Sequence, residues 1–324
     1  MVFGRFKTYR SFGVLGINRR NADLILGCNP RRLFPLVDDK LATKSLCEAH
    51  GIRTPALYGT VSAHHELRAL EAMLGDRRDL VVKPAKGAMG NGVLVITDRK
   101  GDRFIRAGGA SLGIKDLRYH ISSILSGLYS LGGRTDKAII EARVRAHSVF
   151  DDLSLGVPDC RIIVFRGVPV MSMLRLPTRM SGGRANLHQG AIAVGVDVGT
   201  GVTHRAVHLD RVVARHPDTG RSVNGIHLPH WDEILHIAAV SADMTGLGYL
   251  GVDVVIDAEG GPMLLELNAR PGLSIQIANG AGLTPRLDML EGRDVSSLSP
   301  EDRASLAKSM FGSSEHREDE SLVA

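Results

Sequence analysis

Residues 251–272 read GVDVVIDAEGGPMLLELNARPG. Two apolar runs flank the turn Asp257–Pro262, and their alternation predicts an antiparallel hairpin. If the turn is symmetric, Ile256 faces Met263, and counting outward places Asp253 opposite Glu266. Directly opposed residues lie about 5 Å apart, and like charges there repel. Asn268, two residues past Glu266, shares that face. A hard divalent cation would relieve the repulsion, and a ligand set made only of oxygens suits magnesium. The same alternation also describes a half-exposed strand with solvated acids, and a slip of one residue would undo the pairing. From this stretch alone both readings stand.

Upstream, LVVKP (80–84) reads as a short strand ending on Lys83. A glycine-rich turn, KGAMGNG (86–92), leads into a second strand, VLVIT (93–97), with a turn expected over Asp98–Asp102. Gly87, Gly90 and Gly92 would let backbone N–H groups approach an anion closely. Lys83 can supply a point charge to a phosphate. The pattern is not GxxxxGK[ST] leading into a helix. A flap between two strands, as over kinase phosphates, is the nearer analogue. An ordinary hairpin with a solvated lysine is the plain alternative.

The remaining elements are mixed. Helices are expected over 41–50, capped by Asp38-Asp39, and over 62–74, 116–131, 231–245 and 299–310. Strands are expected over 137–142, 161–165, 170–176, 191–196 and 202–209. Without regular βαβ alternation the fold class is α+β. Residues 1–37 read as irregular, and the polar tail 313–324 as disordered.

The 324 residues suggest about two domains. The 44% hydrophobic and 23% charged residues argue against global disorder. No apolar run approaches the roughly 18 residues of a membrane span. The first residues lack the apolar core and cleavage site of a secretory signal, so a cytoplasmic location is expected. The net charge of +5 is scattered and aromatics are only 4%, which argues against a nucleic-acid surface. Cys28, Cys47 and Cys160 form no CxxC pair, and the thirteen histidines form no HExxH. No Ser/His/Asp or Cys/His nucleophilic set is compelling. His188 is a conceivable general base, but a non-catalytic role carries more weight.

Taken together these segments resemble the ATP-grasp superfamily of carboxylate–amine ligases. DDKLATK, VVKPAKGAMGNGV, IIEARV, DCR, GGRANLHQGA, GVDVVID and LLELNARPGL occur in that family's order over about residues 38–285. The DxR, RxNLHxGA and ExNAxPGL patterns carry a narrower resemblance to α-L-glutamate ligase-like proteins, related to the glutamate ligases of a ribosomal protein. The resemblance implies two α+β lobes holding ATP between them. It implies that Lys40, Lys83 and Lys86 meet the nucleotide phosphates and that Gly87, Gly90 and Gly92 flex over them. Glu141 and Val144 would flank adenine. Asp253, Glu266 and Asn268 would hold Mg2+, for which Mn2+ would substitute. Arg161, Arg184 and Asn186 would face the γ-phosphate and the reacting carboxylate. Arg270 departs from this pattern, since the glutamate ligases typically carry a small residue in its place; it would fork onto a substrate carboxylate or phosphate, or else form a structural ion pair.

The implied reaction activates a carboxylate as an acyl phosphate, which an amine then attacks. Glutamate is the amine the resemblance suggests, with a peptide, protein or small-metabolite carboxylate as acceptor. Only 39 residues precede Lys40, so the Rossmann-like domain usual in the family is expected to be absent or reduced, and a protein partner is expected as one way to complete the site. The hinge carries Ala142 where an aromatic is usual. The expected units are a segment over 1–37, a first lobe with the flap over 38–136, a second lobe with the acidic hairpin over 137–295, and a helix and tail over 296–324. Two alternatives accompany the ligase reading: a phosphotransferase using the same ATP site, and a catalytically silent ATP-binding subunit.

Overall fold

The computed structural model describes residues 12–87, 90–130, 133–154 and 156–312. The expected disordered tail, residues 1–11, and Ala88 and Met89 of the flap lie outside the described residues.

The strands, in chain order, are β1 (Leu57–Val61), β2 (Leu80–Pro84), β3 (Leu94–Lys100), β4 (Arg103–Arg106), β5 (Ser111–Leu112), β6 (Ala138–Glu141), β7 (Asp159–Phe165), β8 (Val168–Leu176), β9 (Ile192–Val196), β10 (Thr203–His208), β11 (Arg211–Val213), β12 (Tyr249–Asp257) and β13 (Gly261–Asn268). The longer helices are α1 (Lys40–Ala49), α2 (Ile114–Leu125), α3 (Trp231–Thr245) and α4 (Pro300–Phe311). The smaller sheet has the order β1-β6-β2-β3-β4-β5, and the larger β11-β10-β9-β8-β7-β12-β13. Their strand pairs are antiparallel, and helices and strands mix as the α+β class requires.

Each sheet has its own core. In the smaller lobe Leu117, Ile121 and Ile124 of α2 pack on Val82, Ile96, Phe104 and Ile140. These α2 residues recur at helical spacing, so one stripe faces the sheet. In the larger lobe β7 is buried along its whole length, which explains its unbroken apolar run IIVF. Helix α3 covers this sheet with Ile234, Leu235 and Ala238.

Three boundaries differ from those expected. β6 lies between β1 and β2, so the smaller lobe extends through Glu141 rather than ending at 136. Residues 17–38 form short helical turns, not irregular chain. Leu15, Leu24, Ile25 and Val37 belong to the larger core, as does Cys47 of α1. Each such buried aliphatic side chain stabilises by roughly 1.5–3 kcal/mol. Asn29, 1% exposed, pins this leading segment to β12: its amide donates to Tyr249 O (2.6 Å) and Ala269 O (3.1 Å) and accepts from Tyr249 N (2.9 Å). Helix α4, capped by Ser299, places Ala304, Ala307 and Phe311 in the same core, so it too is part of the second lobe.

The hairpin register also differs near its turn. Ile256 pairs with Pro262 and Val255 with Met263, one residue off the symmetric count. A bulge at Leu265 then restores the outer register, so Asp253 does face Glu266 and Gly251 faces Asn268. The turn expected over Asp98–Asp102 narrows to Gly101–Asp102, because β3 continues through Lys100.

Candidate active site between the lobes

Lys83 stands near the end of β2, 5% exposed, and its ammonium pairs with the Glu141 carboxylate of β6. Lys44 on α1 reaches the same carboxylate at 2.9 Å and donates to Pro55 O at 2.6 Å. The Lys44–Glu141 contact is ionic rather than a well-aligned hydrogen bond. Burial pulls the Lys83 pKa down, against the stabilising Glu141 charge. Lys40, at the first turn of α1, donates to Gly87 O at 2.8 Å and lies 3.4 Å from Glu266. One ammonium thus touches both the glycine-rich turn and the acidic hairpin.

The base of the flap is fixed by Asp136, 5% exposed, whose carboxylate accepts from Lys86 N (3.1 and 3.0 Å), Lys137 N (2.7 Å) and Ser130 Oγ (2.6 Å). The Lys86 ammonium is exposed and 3.9 Å from Asp39. Gly90 and Gly92 both adopt φ of +73°, a conformation side chains disfavour, and a Cβ on Gly92 would meet the Tyr129 ring at 2.6 Å.

Asp253, 2% exposed, is enclosed by two guanidinium groups. Arg161 holds it through two bonds, one of 2.6 Å, and Arg175 through one of 2.8 Å. Arg175 also forks onto Asp159 at 2.5 and 2.8 Å. Register explains the cluster: Arg161 of β7 faces Asp253 of β12, and Asp159 of β7 faces Arg175 of β8. Burial pushes the Asp159 carboxyl up to about 6, with Arg175 opposing and Asp253 adding. Burial also works to raise Asp253, but Arg161 and Arg175 outweigh it and hold that carboxyl below the usual range.

Arg184 follows the loop after β8. A Cβ on Gly90 would lie 3.5 Å from the Arg184 side chain, so this loop meets the flap across the cleft. Its guanidinium is 3.4 Å from Gln189 Oε1. Asn186 caps the short helix Leu187–Gln189 by accepting from His188 N at 3.0 Å. Asn268 accepts from Arg270 N at 2.8 Å. Arg270 pairs with Asp38 at 2.8 and 3.0 Å, with its guanidinium over the Phe34 ring. Val144 lies in the segment after β6, three residues beyond Glu141.

Sequence reading missed Lys44, Asp136 and Arg175, and it singled out Asp159 through the DxR pattern without giving it a role. A signal existed for Lys44, since positions 40 and 44 are one helical turn apart and share a face. Asp159 and Arg175 lie sixteen residues apart and meet only through strand pairing. Burial pushes the thiol of Cys47 up to about 11 and that of Cys160 higher still, so neither is an activated nucleophile.

The donors suit a hard divalent cation in part. Glu266 keeps its side chain 38% exposed, and the Asn268 amide oxygen retains a second lone pair on the same face. Asp253 accepts three bonds from Arg161 and Arg175, which leaves one lone pair on its Oδ1. Glu266 and Asn268 therefore fit magnesium, and Asp253, which faces Glu266 across the hairpin, has one acceptor site left to join them. Among the described residues, no three His, Cys, Asp or Glu gather as a metal cluster, and no helix is long and apolar enough to cross a membrane.

This architecture, with Lys40 tied at once to flap and hairpin, is the ATP-grasp fold. The chain belongs to the sugar-transfer associated ATP-grasp family, which matches residues 19–292. That match does not carry the narrower likeness to ribosomal-protein glutamate ligases. No curated protein matches the chain. Among solved structures, the ATP-grasp ligase PsnB complexed with a minimal precursor is similar at 16% identity and a TM-score of 0.43, over 81% of this chain and 62% of its own. The D-cycloserine synthetase DcsG is similar at 18% identity and 0.44, over 81% and 71%. The D-alanyl-alanine synthetase A of Vibrio cholerae is similar at 11% identity and 0.46, over 88% and 67%. The chain spans about three fifths of the length of the PsnB structures it matches.

Proposed function

We propose that the chain is an ATP- and magnesium-dependent ligase joining an amine to a carboxylate, with release of ADP and phosphate. The observation that carries this reading is the double contact of Lys40, 2.8 Å from the flap carbonyl of Gly87 and 3.4 Å from Glu266. A phosphate-binding turn and an acidic hairpin joined by one cation suit a triphosphate whose terminal phosphate is transferred.

A carboxylate is a poor acyl donor because hydroxide leaves badly. Its oxygen attacks the γ-phosphorus, the bond to the β-phosphate oxygen breaks, and ADP departs. The amine nitrogen then attacks the carbonyl carbon of the acyl phosphate, the C–O bond to phosphate breaks, and the amine proton is lost to solvent. Lys40 and Lys83 hold the phosphates, with Lys86 at the flap's rim. Gly87, Gly90 and Gly92 let the flap close and exclude water. Arg161, Arg184 and Asn186 face the transferred phosphoryl group and the carboxylate, while Glu141 and Val144 border the adenine. Arg270 is the candidate for a second substrate anion if it leaves Asp38. Asp253, Glu266 and Asn268 would hold magnesium, which when bound would supply positive charge to the phosphates. Mn2+ accepts the same oxygen ligands and is expected to substitute.

Glutamate as the amine rests on the sequence resemblance. The family's association with sugar transfer favours an acceptor carboxylate on a sugar-containing metabolite over one on a peptide or protein. The test is nucleotide product analysis with MgATP, pooled amino acids, and either a metabolite or a peptide extract, with Glu266→Ala as control. ADP formation that needs the pool and vanishes in the variant supports the ligase, and mass spectrometry then identifies the amide. A phosphorylated product without amide would mean a phosphotransferase. AMP formation would sink the mechanism.

A further inference from the structure

The loop Pro177–Arg184 carries Arg184 to the flap, and it is held from behind by a buried histidine far away in sequence. His216 is 1% exposed. Its Nε2 lies 2.9 Å from Pro177 O, and its Nδ1 lies 3.2 Å from Asp218 N. A backbone N–H can only donate, so Nδ1 accepts. The neutral ring then carries its hydrogen on Nε2, which donates to Pro177. Both ring nitrogens are satisfied by a single tautomer. The turn that carries His216 is itself closed by His216 N to Arg221 O (2.8 Å) and Gly220 N to His216 O (2.8 Å).

The same turn grips the loop a second time. Asp218 Oδ2 accepts from Arg179 N at 2.7 Å. Pro177 O takes a further bond from Ser154 Oγ at 3.1 Å. Within the loop, Thr178 N donates to Ser181 Oγ (2.9 Å), Gly183 N to Thr178 O (3.0 Å) and Arg184 N to Ser181 O (3.3 Å). A continuous chain of bonds thus runs from the His216 ring to the Arg184 backbone. Pro177 also follows directly on β8, two residues past Arg175.

We propose that His216 is a positioning residue for Arg184: it fixes the loop so that the Arg184 guanidinium stands opposite the flap where the transferred phosphoryl group passes. This rests on the ligase reading. His216 touches no reacting group and acts through the loop alone. Misplacement of a reacting group by about 1 Å costs up to about 100-fold in rate.

The experiment compares His216→Ala, His216→Gln, Asp218→Ala and Arg184→Ala in the full chain. Gln can present an amide N–H to Pro177 O, so it should retain most of the activity. His216→Ala should lower kcat by about 10- to 100-fold while ATP affinity, read by nucleotide titration, stays within about twofold. In the Arg184→Ala background His216→Ala should cost almost nothing further. Equal losses in both backgrounds, or a wild-type kcat in His216→Ala, would overturn the proposal. Asp218→Ala keeps the test alive if the buried substitution fails to fold, and should give a smaller fall in kcat with the same coupling to Arg184. Trypsin provides a readout independent of turnover, since Arg179 and Arg184 are exposed. Cleavage after them should quicken in His216→Ala and not in His216→Gln. If wild type binds ATP yet forms no amide, the ligase reading fails. The tryptic rates then decide the loop contact separately, and equal rates in all variants reject it.

Discussion

Asp253 and Glu266 face each other across β12 and β13, yet each is neutralised from a different direction. Asp253 is enclosed by Arg161 and Arg175 from the sheet, whereas Glu266 meets Lys40 from α1. Two like charges share a face because three cations converge on them. The pair is also asymmetric: Asp253 is 2% exposed, while the Glu266 side chain is 38% exposed.

That asymmetry separates their substitutions. Glu266→Ala should fold normally and lose turnover on the order of 100-fold, with the remaining activity needing a higher magnesium concentration. Asn268→Ala should behave alike. Asp253→Ala should instead lower the melting temperature sharply, because the buried Arg161 guanidinium loses its partner and Arg175 keeps only Asp159, a change of about 3–5 kcal/mol. Thermal unfolding alongside ADP release measures both. Normal activity in Glu266→Ala would reject the assignment.

Lys83→Ala should weaken ATP binding and also destabilise the smaller lobe, since the buried Glu141 keeps only the half-buried Lys44 as a counter-charge. Calorimetric titration with ATP reads the first effect and urea unfolding the second. Lys83→Arg should recover stability better than affinity, because a guanidinium does not reproduce a point charge.

The Asp159 carboxyl gives a pH signature. Its ordinary value is 3.8, and burial pushes it up to about 6, with Arg175 opposing. The folded state therefore holds this proton more tightly than the unfolded chain. The stability it contributes is full below about pH 3.8 and is lost as pH rises through about 6. Asp159→Asn cannot ionise, so its stability relative to wild type should rise between about pH 3.8 and 6 and level off above, read by urea unfolding at each pH. A flat difference would contradict this. Asp253, held low, has the opposite sign, and its contribution disappears only as pH falls below the ordinary range.

Gly92→Ala should raise the KM for ATP and slow turnover, since its φ of +73° disfavours a side chain and Tyr129 occupies the space. Gly90→Ala has only an ordinary contact with Arg184, so its effect is that of the backbone alone, about 1 kcal/mol. Initial rates over a range of ATP concentrations distinguish the two.

Asn29→Ala should release the leading segment from β12. Three buried hydrogen bonds disappear and leave Tyr249 N and two carbonyls unmet, at about 1–3 kcal/mol for the unsatisfied groups. Hydrogen exchange at residues 17–38 should accelerate more than exchange in β2 and β6.

The acidic hairpin, the lysine that ends β2 and the glycine turn were legible in the chain, because alternation and turn residues act over a few positions. So was the order of motifs that places the chain among ATP-grasp proteins. The hairpin pairing of Asp253 with Glu266 was reached by a symmetric count, but it stands in the structure through a bulge at Leu265. Local pattern cannot register such an insertion, since alternation is unchanged on either side of it. What only the tertiary structure decided is which charges meet. Arg161, Arg175, Asp159 and Asp253 come from three strands whose register follows from packing over the whole larger sheet. The place of β6 in the smaller sheet and the docking of residues 12–38 on the larger core were set in the same way. Apolar periodicity tells a segment that it must bury a face, and the partner that covers that face is chosen by contacts distant in sequence.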